Sequence, residues 1–316
     1  MKLPSPDAPL KIGTRGSPLA LAQAHETRAR LMAAWDRPEA AFEIVVIKVS
    51  GDDRFMVAKD VPLKEIGNKG LFTREIEEDL AAGKIDIAVH SMKDMPTDQP
   101  EGLLLDTYLP REDVRDAFVS PTYRAITELP QGATVGTSSL RRRAQLMHRR
   151  TDLNVVEFRG NVQTRLKKLG DGVADCTFLA CAGLNRLGMS DVPATPVDVL
   201  NMLPAIAQGA IGIERRADDN ATAALLEPIH DIPTGDRLLA ERTFLRTLDG
   251  SCETPIAGLA TLEGGTLVLR GEVLRPDGSE ALQGTRSGDA ADGERMGEDL
   301  ARELLSKAAP GFFDWH

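Results

Sequence analysis

The chain has 316 residues, of which 42% are hydrophobic and 27% charged, a composition typical of a folded globular protein and not of a disordered one. At about 150 residues per domain, this length predicts two or three domains. The sequence contains neither an apolar run of the roughly 20 residues that span a membrane nor the apolar core of a signal peptide, so we expect a cytoplasmic protein that does not bind membranes. Three cysteines without metal-ligand spacing argue against a disulfide framework or a metal site.

The net charge of −10 is distributed unevenly. Residues 141–168 contain nine Lys or Arg and two acidic residues, a local charge of +7 that leaves −17 for the rest. A protein that coats nucleic acid would rarely have so acidic a remainder, and aromatic residues are only 4% of the chain, too few for base stacking. We therefore expect a local basic cleft for a small polyanion and no nucleic-acid partner.

Short apolar runs alternate with amphipathic stretches up to about residue 180, a pattern that predicts α/β domains with mostly parallel sheets. The predicted strands are 10–13, 42–49, 85–89, 134–136, 153–157 and 176–180, and the predicted helices are 18–35, 71–82, 140–149 and 162–169. The pattern changes after residue 231: strands at 256–262, 266–273 and 281–285 and a last helix at 290–307 predict a small C-terminal α+β domain.

Two segments repeat the same local order of a strand, a Gly-Thr pair, a serine and a helix. In the first, Ser17 is a natural N-cap with Pro18 at the first helical position, and Arg15 lies beside it. In the second, Ser138 or Ser139 can cap a helix that begins with arginines. Backbone N–H groups at helix N-termini attract anions, so these segments predict paired anion sites. The alternative is that they are only helix caps.

Charged residues also follow other predicted strands, at the sheet edge where ligands bind in parallel α/β folds. Lys93 and Asp94 follow strand 85–89, where the alternative is a solvated turn, and the neighbouring His90 fits a core position. Arginine forks bind carboxylates with two hydrogen bonds, so several carboxylates or phosphates are the expected ligands of Arg141, Arg142, Arg159, Arg165 and Arg186. The other basic residues of this region, interpreted as solvated, are Arg143, Arg149, Arg150, Lys167 and Lys168.

The three cysteines fall into two groups. Cys252 lies in a Gly-Ser-Cys-Glu-Thr-Pro segment, which predicts a turn exposed enough for a nucleophile or an attachment point. Cys176 and Cys181 flank an apolar segment and are interpreted as core residues.

Seven motifs cover nearly the whole chain: IGTRGSPLAL at 12–21, KGLF at 69–72, DIAVHSMKDMPT at 86–97, VGTSSLRR at 135–142, RGNVQTR at 159–165, LPAIAQGAIGIE at 203–214 and GSCETPIAG at 250–258. On these motifs the chain resembles the porphobilinogen deaminase (hydroxymethylbilane synthase) family. The resemblance implies two periplasmic-binding-protein-like α/β domains and a small C-terminal α+β domain. The implied bounds are 1–108 with a return segment at about 209–228, 109–208 with the arginine-rich cleft, and 229–316.

The resemblance also implies a transferase of tetrapyrrole biosynthesis, active as a monomer without metal. It would join four porphobilinogen molecules, with release of ammonia, on a dipyrromethane cofactor bound by a thioether to Cys252. Asp94 is the implied catalytic residue, because a carboxylate facing the pyrrole N–H groups would stabilise the cationic azafulvene left by loss of ammonia and shuttle protons. The residues implied to bind the acetates and propionates of cofactor and substrate are Arg15, Ser17, Lys69, Lys93, Thr137, Ser138, Ser139, Arg141, Arg142, Arg159, Gly160, Arg165, Arg186 and Gln208.

The chain departs from the family pattern at two places. Many relatives have a lysine four residues before the Lys69-Gly pair, where this chain has Glu65 beside Lys64, and the usual threonine near Gly51 is absent. Two other classes of function remain open. A non-catalytic anion-binding protein of the periplasmic-receptor type is disfavoured by the lack of a signal peptide and by Cys252, and a nucleic-acid binder is disfavoured by the acidic remainder.

Overall fold

The computed structural model describes residues 3–49, 73–251 and 254–313, and every structural statement below refers to these residues. The strands are β1 (Leu10–Arg15), β2 (Phe42–Ile47), β3 (Ile87–Ser91), β4 (Leu103–Tyr108), β5 (Asp116–Val119), β6 (Thr134–Gly136), β7 (Asn154–Val156), β8 (Cys176–Ala180), β9 (Ala194–Pro196), β10 (Ile211–Arg216), β11 (Ile256–Glu263), β12 (Thr266–Leu274) and β13 (Ala281–Asp289). The helices are α1 (Pro18–Trp35), α2 (Arg74–Ala81), α3 (Leu140–Arg149), α4 (Val162–Gly170), α5 (Cys181–Arg186), α6 (Asn220–Leu226), α7 (Ile232–Thr247) and α8 (Gly293–Lys307).

The first sheet has the strand order β2-β1-β3-β10-β4. β1 pairs in parallel with β2 and β3, whereas β10 is antiparallel to both of its neighbours. Apolar residues of four strands, including the fully buried Ile12, Ile87 and Ile211, form one core with α1. Because β1 and β3 are parallel neighbours, the residues that follow them reach the same edge of the sheet.

The second sheet repeats this topology with the order β7-β6-β8-β5-β9. β6 pairs in parallel with β7 and β8, and β5 is antiparallel to β8 and β9. Both sheets are therefore mixed and not mostly parallel, because two of the four strand pairings in each are antiparallel. The predicted α/β class is confirmed, and the parallel strands that carry the predicted anion sites lie side by side in each sheet.

Within the described residues, the chain passes three times between two compact units. The unit with the first sheet extends to Glu112 and resumes over Ala210–Gly235, and the other unit contains Asp113–Gly209 and the chain from Asp236 onward. β5 follows the first passage and β10 follows the second, and each supplies the antiparallel strand beside the parallel group of its sheet. The domain bounds 1–108, 109–208 and 229–316 stay predictions.

The third sheet is the antiparallel meander β11-β12-β13, which confirms the predicted C-terminal α+β unit. α8 packs on this sheet through Leu300 and Leu304, both fully buried. Gly271 of β12 lies against the ring of Phe244 from α7, and a Cβ at this position would lie 2.5 Å from Cζ of that ring. The glycine therefore allows α7 to approach the sheet closely.

Candidate active site

A short turn after β3 carries the predicted catalytic residue. Met92–Asp94 form a 3-10 helix whose first N–H group, that of Met92, donates a 3.1 Å hydrogen bond to the carbonyl oxygen of Ala210. Ser91 donates through its hydroxyl to Oε1 of Gln23 in α1 at 2.9 Å. The Asp94 side chain is half-buried, and its carboxylate makes no hydrogen bond or ion pair with any other residue in 3–49, 73–251 or 254–313. The turn is thus anchored on both sides while its carboxylate is available for a ligand.

The first predicted anion site lies on the neighbouring strand. Arg15 is the last residue of β1, and Ser17 caps α1 by accepting a 3.3 Å hydrogen bond from the N–H of Ala20. Gly13 pairs in parallel with Ala88 of β3, so Arg15 and Ser17 leave the sheet at the edge where the Met92–Asp94 turn begins. The structure therefore brings Arg15, Ser17, Lys93 and Asp94 to one edge of the first sheet.

A buried histidine–carboxylate pair lies directly behind this turn. Nε2 of His90 is 3.0 Å from Oε2 of Glu214 in β10, with side chains that are 4% and 0% exposed. His90 is a core residue, as its position in an apolar strand predicts, but Glu214 is not evident from the sequence because it continues the apolar run 211–213. Burial raises the pKa of the nearby Glu77 in α2, and the charge of Glu214 raises it further.

Gly212 of β10 controls how closely the turn approaches the strand. A Cβ at this position would lie 2.1 Å from Sδ of Met92 and 3.0 Å from Cδ1 of Leu105. We expect Gly212→Ala to cost about 1–3 kcal/mol of unfolding free energy, and to lower turnover by displacing Met92 and with it Asp94. Gly170→Ala is the matched control, because Gly170 has no atom within 4 Å of an added Cβ. Denaturant unfolding and steady-state rates test this, and an unchanged rate for Gly212→Ala would contradict the positioning of Asp94 by this contact.

In the second unit, three hydroxyl groups organise the N-terminus of α3. Ser139 is the N-cap and accepts from the N–H of Arg142 at 3.4 Å, while Oγ1 of Thr137 accepts from the N–H of Ser139 at 3.2 Å. Oγ of Ser138 accepts from the N–H of Phe158 at 2.9 Å and so connects α3 to the segment after β7. The local geometry predicted for this repeat is present, with Ser139 as the cap.

Arg141, Arg142 and Gln208 converge on a buried carboxylate that the sequence analysis did not identify, Asp116 at the start of β5. Nη1 of Arg141 lies 2.8 Å from Oδ2 of Asp116, and Nη2 of Arg142 lies 2.7 Å from Oδ1. Nε2 of Gln208 donates to the same Oδ1 at 3.0 Å and to the carbonyl oxygen of Val114 at 2.8 Å. Asp116 is fully buried, and both arginine side chains are about as buried as core residues. The internal carboxylate of Asp116 therefore occupies some of the guanidinium N–H donors of Arg141 and Arg142 that the sequence predicts to bind a ligand.

The ionisation of Asp116 links this cluster to stability in acid. Burial opposes the charged form, but the charges of Arg141 and Arg142 outweigh it and hold the pKa of Asp116 below its ordinary value. The folded state therefore gains stability above the unfolded-state pKa of about 4, and this contribution is lost as the pH falls through the lower folded pKa.

We expect the melting temperature of the parent protein to fall steeply below about pH 4. The variant Asp116→Asn should have a lower melting temperature at every pH, and its melting temperature should depend less on pH below about pH 4. Thermal unfolding between about pH 7 and pH 3 measures this. Asp171→Asn, which removes an exposed carboxylate paired with Lys167, should follow the parent curve. Parallel curves for Asp116→Asn and the parent would mean that other carboxylates cause the acid sensitivity.

The other predicted basic residues lie after β7 and β8. Arg159 precedes α4 and is buried. Arg165 lies within α4, a helix capped by Asn161, and is half-buried. Gly160 precedes that cap with φ +125°, a backbone conformation that favours glycine. Arg186 ends α5 and donates through Nη2 to the carbonyl oxygen of Gly209 at 3.1 Å. Because β7, β6 and β8 are parallel neighbours, these residues and the α3 N-terminus emerge at one edge of the second sheet.

The basic residues interpreted as solvated differ among themselves. Lys167 is exposed and pairs with Asp171, in agreement with that interpretation. The interpretation is wrong for Arg150, which contacts the carboxylate of Asp152 at 2.8 Å and donates to the carbonyl oxygens of Ile126 and Leu129 at 2.9 Å. Arg150 holds the loop before β6, and its half-buried guanidinium makes a poor ligand group.

The structure places Cys176 and Cys181 in the core. Burial raises the pKa of the Cys176 thiol to about 12 and that of the Cys181 thiol to about 11, so neither forms the nucleophilic thiolate near neutral pH. Cys252 and Lys69 lie outside the described residues, as do Lys64, Glu65 and Gly51. Within the described ranges, no helix is long and apolar enough to cross a membrane.

Each α/β unit thus collects helix N-termini and basic side chains at the edge where its parallel strands end, and the first unit adds a half-buried carboxylate. This arrangement defines a class of α/β protein suited to binding an anion with several carboxylates. Residues 10–224 match the family model for the dipyrromethane-cofactor-binding domain of porphobilinogen deaminase, and residues 236–306 match the model for its C-terminal domain. The chain belongs to the porphobilinogen deaminase family.

A relative and several solved structures are similar to this chain. The chain is 66% identical over 314 residues to the porphobilinogen deaminase of Paracoccus denitrificans, an alignment that covers 99% of both chains. Among solved structures it is similar to a periplasmic substrate-binding protein of an ABC transporter from Coxiella burnetii, at 15% identity and a TM-score of 0.41, covering 72% of this chain and 93% of the other. A probable amino-acid ABC transporter binding protein from Bacillus subtilis matches at 13% identity and a TM-score of 0.40, covering 72% and 94%.

Proposed function

We propose that this chain is a transferase that joins four porphobilinogen molecules head to tail, releases ammonia at each addition, and produces the linear tetrapyrrole hydroxymethylbilane. The observation that carries the proposal is the match of nearly the entire chain to the porphobilinogen deaminase family. The site supports it, because every pyrrole of this chemistry carries an acetate and a propionate, and both sheet edges offer donors for carboxylates.

The residues of the second unit fit a dipyrromethane cofactor. Nε of Arg141 is a buried donor without a hydrogen-bond partner among the described residues, a feature expected of a group that a ligand completes. Arg159, Gly160, Arg165 and the capped N-terminus of α3 would hold the remaining carboxylates through N–H donors. When bound, the cofactor supplies the free pyrrole position to which substrate units are added. Cys252 would anchor it by a thioether, since the two other cysteines are buried thiols with raised pKa values.

Asp94 would act on the substrate. Its half-buried carboxylate, without a partner among the described residues, would accept hydrogen bonds from pyrrole N–H groups. A fixed negative charge there would stabilise the cation that remains on porphobilinogen after ammonia leaves, and the same group would transfer the proton lost at each addition. Arg15, Ser17, Lys69 and Lys93 would bind carboxylates at the edge of the first unit. Arg186 and Gln208 would bind carboxylates at the edge of the second unit.

We further propose that the protein is a cytoplasmic monomer whose partner is the small molecule porphobilinogen. Intact-mass measurement of the purified protein tests the function, because a covalent two-pyrrole adduct together with porphobilinogen consumption, followed with an acidic aldehyde reagent for pyrroles, is the expected result. A receptor-like anion-binding protein or a nucleic-acid binder would have the mass of the bare chain and would not consume porphobilinogen. Either of these negative results would contradict the proposed function.

A further inference from the structure

The two neighbouring arginines of α3 use their donors differently, and Arg142 uses them inside the protein. Its Nε and Nη2 contact Oδ1 of Asp116 at 3.2 and 2.7 Å, and its Nη1 donates to the carbonyl oxygen of Phe178 at 2.7 Å. Each guanidinium nitrogen therefore has a protein acceptor. The Nε–Nη2 edge, which matches a carboxylate in geometry, is occupied by Asp116.

Arg141 lacks such an internal acceptor on that edge. Its Nη1 donates to the carbonyl oxygen of Leu203 at 2.8 Å and lies 2.8 Å from Oδ2 of Asp116. Its Nε is buried without a partner, and Nη2 contacts no acceptor in the part of the chain that the structure describes. The contact between Asp116 and Arg141 is thus an ion pair through Nη1 of the guanidinium, and it leaves the Nε–Nη2 edge without an acceptor from Asp116.

The missing acceptor at Nε of Arg141 has a cost in free energy. A buried guanidinium N–H without an acceptor loses its hydrogen bond to water and gains nothing in return, and folded proteins rarely leave such groups unpaired. A carboxylate placed against Nε and Nη2 of Arg141 would remove that penalty with two charge-assisted hydrogen bonds. One internal carboxylate for two arginines also leaves room for a second negative charge, which a ligand would bring.

We propose that Asp116 is a positioning residue that divides the roles of the two arginines. Asp116 accepts hydrogen bonds from Nε and Nη2 of Arg142, so that Arg142 fixes the position of α3 against β5 and β8. It holds Arg141 through Nη1 only, so that the Nε–Nη2 edge of Arg141 remains for an acetate or propionate of the tetrapyrrole. This inference rests on the proposed function and assigns unequal roles to two adjacent residues that the sequence treats alike.

The variants Arg141→Lys and Arg142→Lys separate the roles of the two arginines. Lysine keeps the positive charge but lacks the planar guanidinium group with its paired N–H donors. Apoprotein is produced in a host that makes no porphobilinogen and is then mixed with preformed hydroxymethylbilane. We expect Arg141→Lys to lower the apparent affinity for this tetrapyrrole by at least about tenfold, with a melting temperature within about 3 °C of the parent. We expect Arg142→Lys to lower the melting temperature by more than that and to leave the affinity of the folded protein within about threefold of the parent.

A third variant separates positioning from a purely structural role of Asp116. Asp116→Asn alone leaves two buried arginines without a counter-ion and should lower both stability and affinity. The double variant Asp116→Asn, Arg142→Met restores the charge balance, so the melting temperature should largely recover while the affinity stays low. A structural role would restore both.

Three results would overturn the inference: parent-like affinity in Arg141→Lys, equal losses in the two lysine variants, or recovered affinity in the double variant. If Arg142→Lys does not fold, the affinity and melting temperature of Arg141→Lys decide alone. Failure of the proposed function is distinguishable, because the parent apoprotein would then neither bind the tetrapyrrole nor form a covalent adduct when mixed with it.

Discussion

Replacing Cys252 with alanine is expected to remove the covalent adduct and all turnover. Of the three cysteines in the chain, Cys176 and Cys181 are buried and have thiol pKa values raised to about 12 and 11, so they stay protonated under conditions in which a thiolate must attack. Cys252 is the remaining candidate, and the sequence contains no fourth cysteine that could substitute for it. Intact mass should therefore equal that of the bare variant chain.

The matched control is the double variant Cys176→Ala, Cys181→Ala. Each change leaves a small cavity in the second unit and should cost about 1 kcal/mol of unfolding free energy, while the adduct mass and the rate per folded molecule remain those of the parent. An adduct that persists in Cys252→Ala, or one that disappears in the double variant, would place the attachment elsewhere.

Local signals were sufficient for the elements whose ends are capped. Helices 18–35 and 140–149 are confirmed to the residue because Ser17, Pro18 and Ser139 fix their first turns. The pattern did not predict β4, β5, β9 or β10. β4 alternates buried and exposed positions and contains the partly exposed Leu104, and β9 is a three-residue edge strand that forms only by pairing with β5. Pairing partners distant in sequence decide such strands, and no local signal reports them.

The candidate site shows the same limit. The strand ends and helix N-termini around Asp94 and Ser139 follow from local sequence, because a strand, a turn and a cap are adjacent in the chain. Asp116 and Glu214 do not, because each is a buried carboxylate whose counterpart comes from another segment: α3 for Asp116, and β3 through His90 for Glu214. An acidic residue at the start of an apolar strand, as at Asp116, is the one signal that could have suggested a buried ion pair.

Asp94→Asn is expected to fold, to retain the cofactor when this is supplied as preformed tetrapyrrole, and to lose turnover by a factor of about 100 to 1,000. Asparagine has nearly the same shape and can still accept a hydrogen bond from a pyrrole N–H, but it carries no charge and no transferable proton. The turn that holds Asp94 is anchored by backbone and side-chain bonds of Met92 and Ser91, none of which the substitution removes. The loss should therefore appear in the rate and not in the melting temperature.

Two further variants define what the carboxylate contributes. Asp94→Glu keeps the charge one methylene further out and should retain more activity than Asp94→Asn, because electrostatic stabilisation of the substrate cation survives a small displacement better than its removal. Asp98→Asn removes an exposed carboxylate four residues further along the same segment and should be nearly silent. Single-turnover rates of ammonia release measure the chemical step directly. If Asp94→Asn stays within about tenfold of the parent in this measurement, Asp94 is a turn residue and another group transfers the proton, since a tenfold change corresponds to only about 1.4 kcal/mol of barrier.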